Sequence, residues 1–177
     1  MNKDWNIIEV LRYARHDWLN KIQLIQGNLA LNKMDRAKEI IHEIIDDAMQ
    51  EAKLSNLNIP QFASLILTHN WENHLFQLKF DVMDGSKGDH LDDEWLTKWT
   101  VTFFEYVNAS IKRFYDNQLS IIIEPQIEGT RFFFDFRGII TNMEHLEGFF
   151  KETATAPKIT IHHLSDQEFS LELYLHK

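Results

Sequence analysis

The sequence predicts an α+β protein with an N-terminal helical hairpin and a C-terminal α/β sandwich. Two observations lead to this class. Apolar residues recur at alternating spacings of three and four over the first third of the chain, which is typical of packed helices. After Pro60, short segments alternate apolar with polar residues, which indicates strands between further helices. We place the domain boundary so that the hairpin spans residues 1–58 and the sandwich residues 59–177.

The hairpin begins with a helix predicted over residues 4–31, where no proline intervenes and Asp4 is a suitable first residue. A polar turn with Asp35 as N-cap leads to a second amphipathic helix ending near Leu54. Both helices have apolar faces broader than one partner helix covers. We therefore expect a homodimer in which two hairpins form a four-helix bundle; the alternative is that these faces pack on the rest of the same chain. The seam on the first helix consists of Ile8, Leu11, Trp18, Ile22, Ile25 and Leu29.

The sandwich begins at Pro60, because proline disfavours helical geometry in the residue before it. Its order of elements suggests one mixed or antiparallel sheet with helices on one face. The segments 84–93 and 142–157 are expected to be irregular. The expected helices are 61–72 and 94–115, and the expected strands are 76–82, 119–124, 130–136, 158–162 and 168–175.

Composition and charge narrow the classes of function. The 177 residues, 44% hydrophobic and 25% charged, have an ordinary globular composition. The absence of cysteine excludes disulfides, thiolate metal sites and a cysteine nucleophile, and it fits a cytoplasmic location. The net charge of −9 argues against nucleic-acid binding, and most of it lies beyond residue 60. We expect neither a membrane span nor a secretory signal, because no long apolar run is present.

The histidines are the natural candidates for chemistry, yet most lack a partner at a useful spacing. The adjacent His162 and His163 point to opposite faces of a strand, so they do not readily share an ion. We therefore expect no metal bound by this chain. The sequence also lacks a nucleophile elbow, a phosphate loop and a dinucleotide fingerprint. The scattered histidines are His42, His69, His74, His90, His145 and His176.

His16 differs, because it lies on a polar strip of the first helix beside the apolar seam. A neutral imidazole nitrogen can attack phosphorus, and an exposed helical position lets a partner bring an acyl phosphate in line. Asp17 is expected to hold the ring tautomer, and Asn20 to hydrogen-bond a phosphoryl oxygen or a water. From spacing alone, a phosphoryl carrier and a solvated surface histidine both stay open. The basic residues that would offset phosphate charge are Arg12, Arg15 and Lys21.

Residues 15–29, RHDWLNKIQLIQGNL, resemble the phosphoacceptor helix of two-component sensor histidine kinases. They are most similar to the branch with an Arg-His-Asp-hydrophobic-x-Asn box, which includes the phosphotransferases of sporulation phosphorelays. The likeness extends to residues 53–57, KLSNL, and to the order of elements in the whole chain. It implies that His16 is the phosphoacceptor of a dimer. The donor would be a single-domain response regulator, and the acceptor the receiver domain of a response-regulator transcription factor; Mg²⁺ would come from the receivers, with no cofactor on this chain.

The same resemblance implies that residues 59–177 are a degenerate kinase ATPase domain. In the alignment we favour, Glu105 replaces the metal-binding asparagine, although a shifted register retrieves Asn108. Residues 135–138, DFRG, lack the second glycine of the adenine box, and only Gly148 follows where a glycine-rich lid is needed. We therefore expect an ATP-independent histidine phosphotransferase. The alternatives are an atypical ATP-dependent histidine kinase and a non-catalytic dimeric module that binds receivers.

Overall fold

The computed structural model describes residues 5–85, 90–153 and 158–177. The chain divides into two compact units, Met1–Ala52 and Lys53–Lys177. The last turn of the second helix belongs to the second unit, because Leu54 is completely buried in that unit's core. The boundary between residues 58 and 59 stays a prediction.

In its described residues, the first unit contains helix α1 (Ile7–Ala30) and all but the last turn of helix α2 (Met34–Ser55). A capping box starts α1: the Asn6 side chain accepts a hydrogen bond from the Glu9 amide at 2.9 Å, and the Glu9 carboxylate accepts one from the Asn6 amide. Asn6 therefore caps the helix, and the expected first residue, Asp4, lies outside the described residues. Asp35, predicted as the N-cap of α2, lies inside its first turn, where a carboxylate favours the positive end of the helix dipole.

The apolar seam of the first unit is exposed. None of the α1 side chains is buried, and on α2 only Ala37 and Ile40 among the described apolar residues before Ala52 are. The side chains that a second hairpin would cover are between 42% and 66% exposed in the single chain. They are Ile8, Leu11, Trp18, Ile22 and Leu29 on α1, and Ile41 and Ile45 on α2.

Within the described residues, the second unit is one five-stranded mixed sheet with three α-helices, which confirms the predicted fold class. The strand order is β1-β2-β3-β5-β4, with β1 parallel to β2 and the other pairs antiparallel. The helices are α3 (Pro60–Thr68), followed by a 3₁₀ turn (His69–Trp71), α4 (Asp93–Ser110) and α5 (Met143–Thr153). The strands are β1 (Gln77–Val82), β2 (Gln118–Pro125), β3 (Gly129–Arg137), β4 (Lys158–Leu164) and β5 (Glu168–His176).

All three helices pack on the same face of the sheet. The even-numbered phenylalanines of β3 are completely buried, as strand alternation requires. Phe62 of α3 lies 5.6 Å from Phe132, and Phe103 of α4 lies 5.2 Å from Phe134, centroid to centroid. Phe150 of α5 lies 6.0 Å from Phe169 on the neighbouring strand β5. These aromatic contacts form the core.

The outer edge of β1 is partly closed by a side chain. The Asn70 carboxamide donates to the carbonyl of Leu78 at 2.8 Å and accepts from its amide at 2.9 Å. One asparagine from the 3₁₀ turn thus makes the pair of bonds that a further strand would make at this residue.

Three expectations about elements were wrong. The stretch 142–157 was expected to be irregular, but Met143–Thr153 form α5: Asn142 caps this helix by accepting from the His145 amide at 3.2 Å, and the helix buries Leu146, Phe149 and Phe150. Residues 154–157 lie outside the described residues. The helix expected over 94–115 ends at Ser110, where Ile111 becomes extended and pairs with Ile140. The α-helix expected over 61–72 ends at Thr68 and continues only as the 3₁₀ turn.

Candidate functional site

His16 lies in the middle of α1, and its side chain is 72% exposed. One turn further on, the Asn20 Nδ2 atom lies 3.2 Å from Nδ1 of the ring. An Asp17 carboxylate oxygen lies 3.8 Å from the same Nδ1. Both polar neighbours therefore face Nδ1, and no described residue hydrogen-bonds Nε2. A neutral imidazole whose Nε2 is exposed in this way can act as a nucleophile.

Helix geometry explains the two distances. Residues four apart share a face, so Asn20 reaches the ring directly. Asp17 is the next residue and projects about 100° further around the helix axis. Its carboxylate therefore stays 3.8 Å from Nδ1, beyond hydrogen-bond distance. Because imidazole carries one proton when neutral, a proton held on Nδ1 leaves the lone pair on Nε2. A carboxylate near Nδ1 favours that tautomer, and the Asn20 amide can face Nδ1–H with its oxygen when rotated.

The predicted basic residues do not all surround His16. Arg12 lies one turn before it on the same face, and the exposed Arg15 is the adjacent residue. Lys21 instead pairs with Asp47 of α2 at 3.2 Å and lies 6.0 Å from the Trp18 ring. The Lys21 charge is therefore already opposed by a carboxylate, whereas Arg12 shares the helix face of His16.

Residues proposed as remnants of a nucleotide site have other contacts. The Asn108 carboxamide accepts from the Leu75 amide at 2.9 Å and lies 3.2 Å from Nδ1 of His74. Gly138 has no room for a side chain, because a Cβ there would collide with the Asn117 carboxamide and the Phe136 ring. The Asn117 carboxamide in turn accepts from the Ile139 amide at 3.1 Å. Asn108 and Gly138 thus have structural roles in this fold.

The described residues contain no cluster of three His, Asp or Glu side chains suited to a metal ion. Among their helices, none is both long and apolar enough to cross a membrane. Sequence reasoning missed one pair: His69, which is buried, stacks on His74 with ring centroids 3.9 Å apart. A separation of five residues is a poor helical spacing, and the 3₁₀ turn after α3 is what brings the rings together.

Two family models match the sequence. The model described as Sensor_kinase_SpoOB-type, alpha-helical domain, matches residues 1–57, and that described as Sporulation initiation phospho-transferase B, C-terminal, matches residues 58–176. The chain is also similar to sporulation initiation phosphotransferase B of Bacillus subtilis (strain 168), with 39% identity over 118 residues. This match spans 67% of the present chain and 62% of the relative.

Solved structures with a similar architecture include the Acinetobacter baumannii histidine kinase AdeS, 10% identical, with a TM-score of 0.43 over 92% of this chain and 98% of that one. Histidine kinase ThkA in complex with response regulator protein TrrA is 14% identical, with a TM-score of 0.40 over 94% and 61%. A bacterial phosphotransferase is 13% identical, with a TM-score of 0.36 over 96% and 98%. The sequence matches are the stronger comparisons.

Proposed function

The chain belongs to the family of sporulation initiation phosphotransferase B, and from this premise we propose that it is an ATP-independent histidine phosphotransferase of a sporulation phosphorelay. His16 takes a phosphoryl group from the aspartyl phosphate of a single-domain response regulator. It then passes the group to the receiver domain of a response-regulator transcription factor. The observation that supports this most directly is the exposed His16 ring, whose Nδ1 faces Asn20 and Asp17 while Nε2 is open.

In the first half-reaction the Nε2 lone pair attacks the phosphorus. A P–N bond forms, the bond from phosphorus to the aspartyl oxygen breaks, and the donor recovers its carboxylate. The ring keeps the Nδ1 proton and becomes a phosphoimidazolium, whose positive charge the Asp17 carboxylate at 3.8 Å stabilises. The second half-reaction runs in the opposite direction on the acceptor: the aspartate oxygen attacks, the P–N bond breaks, and neutral His16 returns.

The contribution of this chain is positioning and charge compensation. Asn20 orients the ring through Nδ1, and Arg12, one turn before His16, opposes the charge of the phosphoryl group. Each receiver supplies its own aspartate and Mg²⁺. The chain itself carries only the nucleophile and the groups that orient it.

The proposal includes a homodimer. The exposed seam on α1 and α2 is broader than one partner helix covers, and a second hairpin would bury it in a four-helix bundle. The His16 ring lies on another side of α1, so a bundle leaves both copies of the ring accessible to receivers.

Phosphoryl transfer tests the function directly. The full chain is mixed with a receiver carrying labelled aspartyl phosphate, and the label on the chain is followed by mass and by stability to acid and base. We expect acid-labile, base-stable label on the wild type and on His42→Ala, a matched exposed histidine of α2, and none on His16→Ala. Full transfer by His16→Ala would overturn the assignment, and labelling by ATP without a receiver would indicate a kinase instead.

A further inference from the structure

The 3₁₀ turn after α3 connects the core of the second unit to the edge of its sheet. His69 begins this turn and is 2% exposed, with its ring against those of Phe76 and Phe104. The next residue, Asn70, hydrogen-bonds both backbone groups of Leu78 on β1. A buried side chain and the side chain that closes the edge are therefore consecutive residues of one short turn.

The surroundings of His69 suit only a neutral ring. Within the described part of the chain, neither ring nitrogen has a hydrogen-bond partner. A proton added to this ring would be shielded from water and would have no acceptor, and burying such a charge is costly. The ring of His74 lies parallel at 3.9 Å between centroids, so two protonated rings would also repel each other at short range.

The groups around His74 differ from those around the buried ring. The Glu72 carboxylate lies 3.4 Å from Nε2 of His74, and the Asn108 carboxamide of α4 lies 3.2 Å from Nδ1. Asp116 and Tyr115, which precede β2, line the same groove as His74, and no lysine or arginine is among its described lining residues. Glu72 therefore favours a proton on His74 where it lies, so the ring that must move on protonation is the buried one.

Release of the buried ring also affects the edge of β1. The ring of His69 holds the turn against the core, and the Cα atoms of consecutive residues are only 3.8 Å apart, so Asn70 shifts when the ring leaves. The two bonds from Asn70 to Leu78 are 2.8 and 2.9 Å long. Because a hydrogen bond is lost beyond about 3.5 Å, a shift of about 1 Å breaks both.

We propose that the turn His69–Trp71 closes the edge of β1 only while His69 is neutral. Protonation drives the ring out of the core, the turn moves, and Asn70 withdraws from Leu78. The amide and carbonyl of Leu78 are then free to pair with another extended strand. The turn and the edge both lie in the second unit, so this device does not depend on phosphoryl transfer at His16.

The pH dependence of opening follows from the two states of His69. In the open turn the ring is in water and has an ordinary pKa near 6.5, whereas in the closed turn burial, reinforced by His74, lowers the pKa to about 3. The open state therefore binds the extra proton below pH 6.5. Its population should rise about tenfold for each pH unit below that value, and so about 100-fold by pH 4.5.

Hydrogen exchange of the Leu78 amide measures this opening, because Asn70 is the acceptor for that amide. Protection factors, which correct for the intrinsic pH dependence of exchange, are measured by NMR on the full chain at pH 7 and 4.5. We expect the factor for Leu78 to fall about 100-fold in the wild type and to stay nearly constant in His69→Phe, which cannot be protonated. His163→Phe is the matched control, because it removes an exposed histidine of the same unit, and it should respond as the wild type does.

Two comparisons separate opening of the turn from unfolding of the whole unit. Leu78 should exchange faster than Phe134, which is paired on both sides in the central strand β3, and equal protection factors would overturn the proposal. Asn70→Ala should remove the protection of Leu78 at both pH values, and retained protection would also overturn it. So would a wild-type factor that does not change with pH, or an equal fall in His69→Phe. If His69→Phe does not fold, His69→Leu supplies the same comparison, because leucine also carries no charge.

Discussion

The rings of His69 and His74 stack in the second unit with their planes 8° from parallel and their centroids 3.9 Å apart. His69 is 2% exposed and also contacts the Phe76 and Phe104 rings. Burial, reinforced by the neighbouring His74, lowers the pKa of His69 to about 3. Burial also lowers the pKa of His74, although Glu72 opposes that shift.

The stacked pair predicts acid sensitivity. An unfolded chain protonates His69 near pH 6.5, whereas the folded chain does so only near pH 3, so the unfolded state binds the extra proton between these values. Stability is therefore complete above pH 6.5 and falls as the pH drops toward 3. At pH 4.5 the loss attributable to His69 is about 2–3 kcal/mol. Denaturant unfolding from pH 7 to 4.5 measures it, and His69→Phe should show a smaller decline; an unchanged decline would contradict the prediction.

Loss of the Asn20 carboxamide should slow transfer without unfolding the protein. The group is exposed and contacts Nδ1 of His16, so Asn20→Ala removes one orienting hydrogen bond and should lower the transfer rate about tenfold. Asn28→Ala is the matched control, because its side chain bonds the Leu24 carbonyl and lies away from the His16 face. Single-turnover transfer from a phosphorylated receiver is the measurement. Equal rates in both variants would show that Asn20 does not orient the ring.

A charge in the seam should separate the dimer. Ile22→Asp places a carboxylate where we expect a second hairpin, and it should convert the dimer to a monomer in light scattering. Leu24→Asp is the control, because Leu24 is similarly exposed, on the same helix, but outside the seam. A monomeric wild type, or a dimer that persists in Ile22→Asp, would argue against a bundle formed through this seam.

Alanine should change the free energy of unfolding in opposite directions at two glycines, Gly138 at the end of β3 and Gly148 in α5. Gly138→Ala forces a Cβ against the Asn117 carboxamide and should destabilise the fold by about 1–3 kcal/mol. Gly148→Ala meets nothing within 4 Å and should stabilise α5 by up to about 1 kcal/mol. Urea unfolding measures both free energies. A neutral Gly138→Ala would mean that the close packing around Asn117 relaxes readily, contrary to the structural role assigned to this glycine.

Local sequence patterns predicted those parts of the fold and of the candidate site that depend on contacts between residues close in the sequence. The pairing of Asn20 with His16 follows from a separation of four in a helix, and the strands follow from alternation. Helix α5 was missed because Gly148 and several acidic residues obscure the spacing of Leu146 and Phe149, whose burial depends on aromatic partners distant in sequence.

Other features depend on long-range packing and have no local signal. The stacking of His69 on His74 needs the 3₁₀ turn, the Phe76 ring just before β1 and the Phe104 ring of α4. The ion pair between Lys21 and Asp47 depends on how α1 packs against α2. The sequence shows that Lys21 is charged, but it does not show which carboxylate Lys21 pairs with.

The hydrogen bonds between Asn70 and Leu78 also limit how the protein can assemble. An edge strand with free backbone groups is a template for pairing with another chain, and such pairing leads to open-ended aggregates. Because the Asn70 carboxamide hydrogen-bonds both the amide and the carbonyl of Leu78, another strand cannot pair with β1 at this residue. The fold thus exposes an apolar helical seam in its first unit, while strand pairing at Leu78 in its second unit is disfavoured.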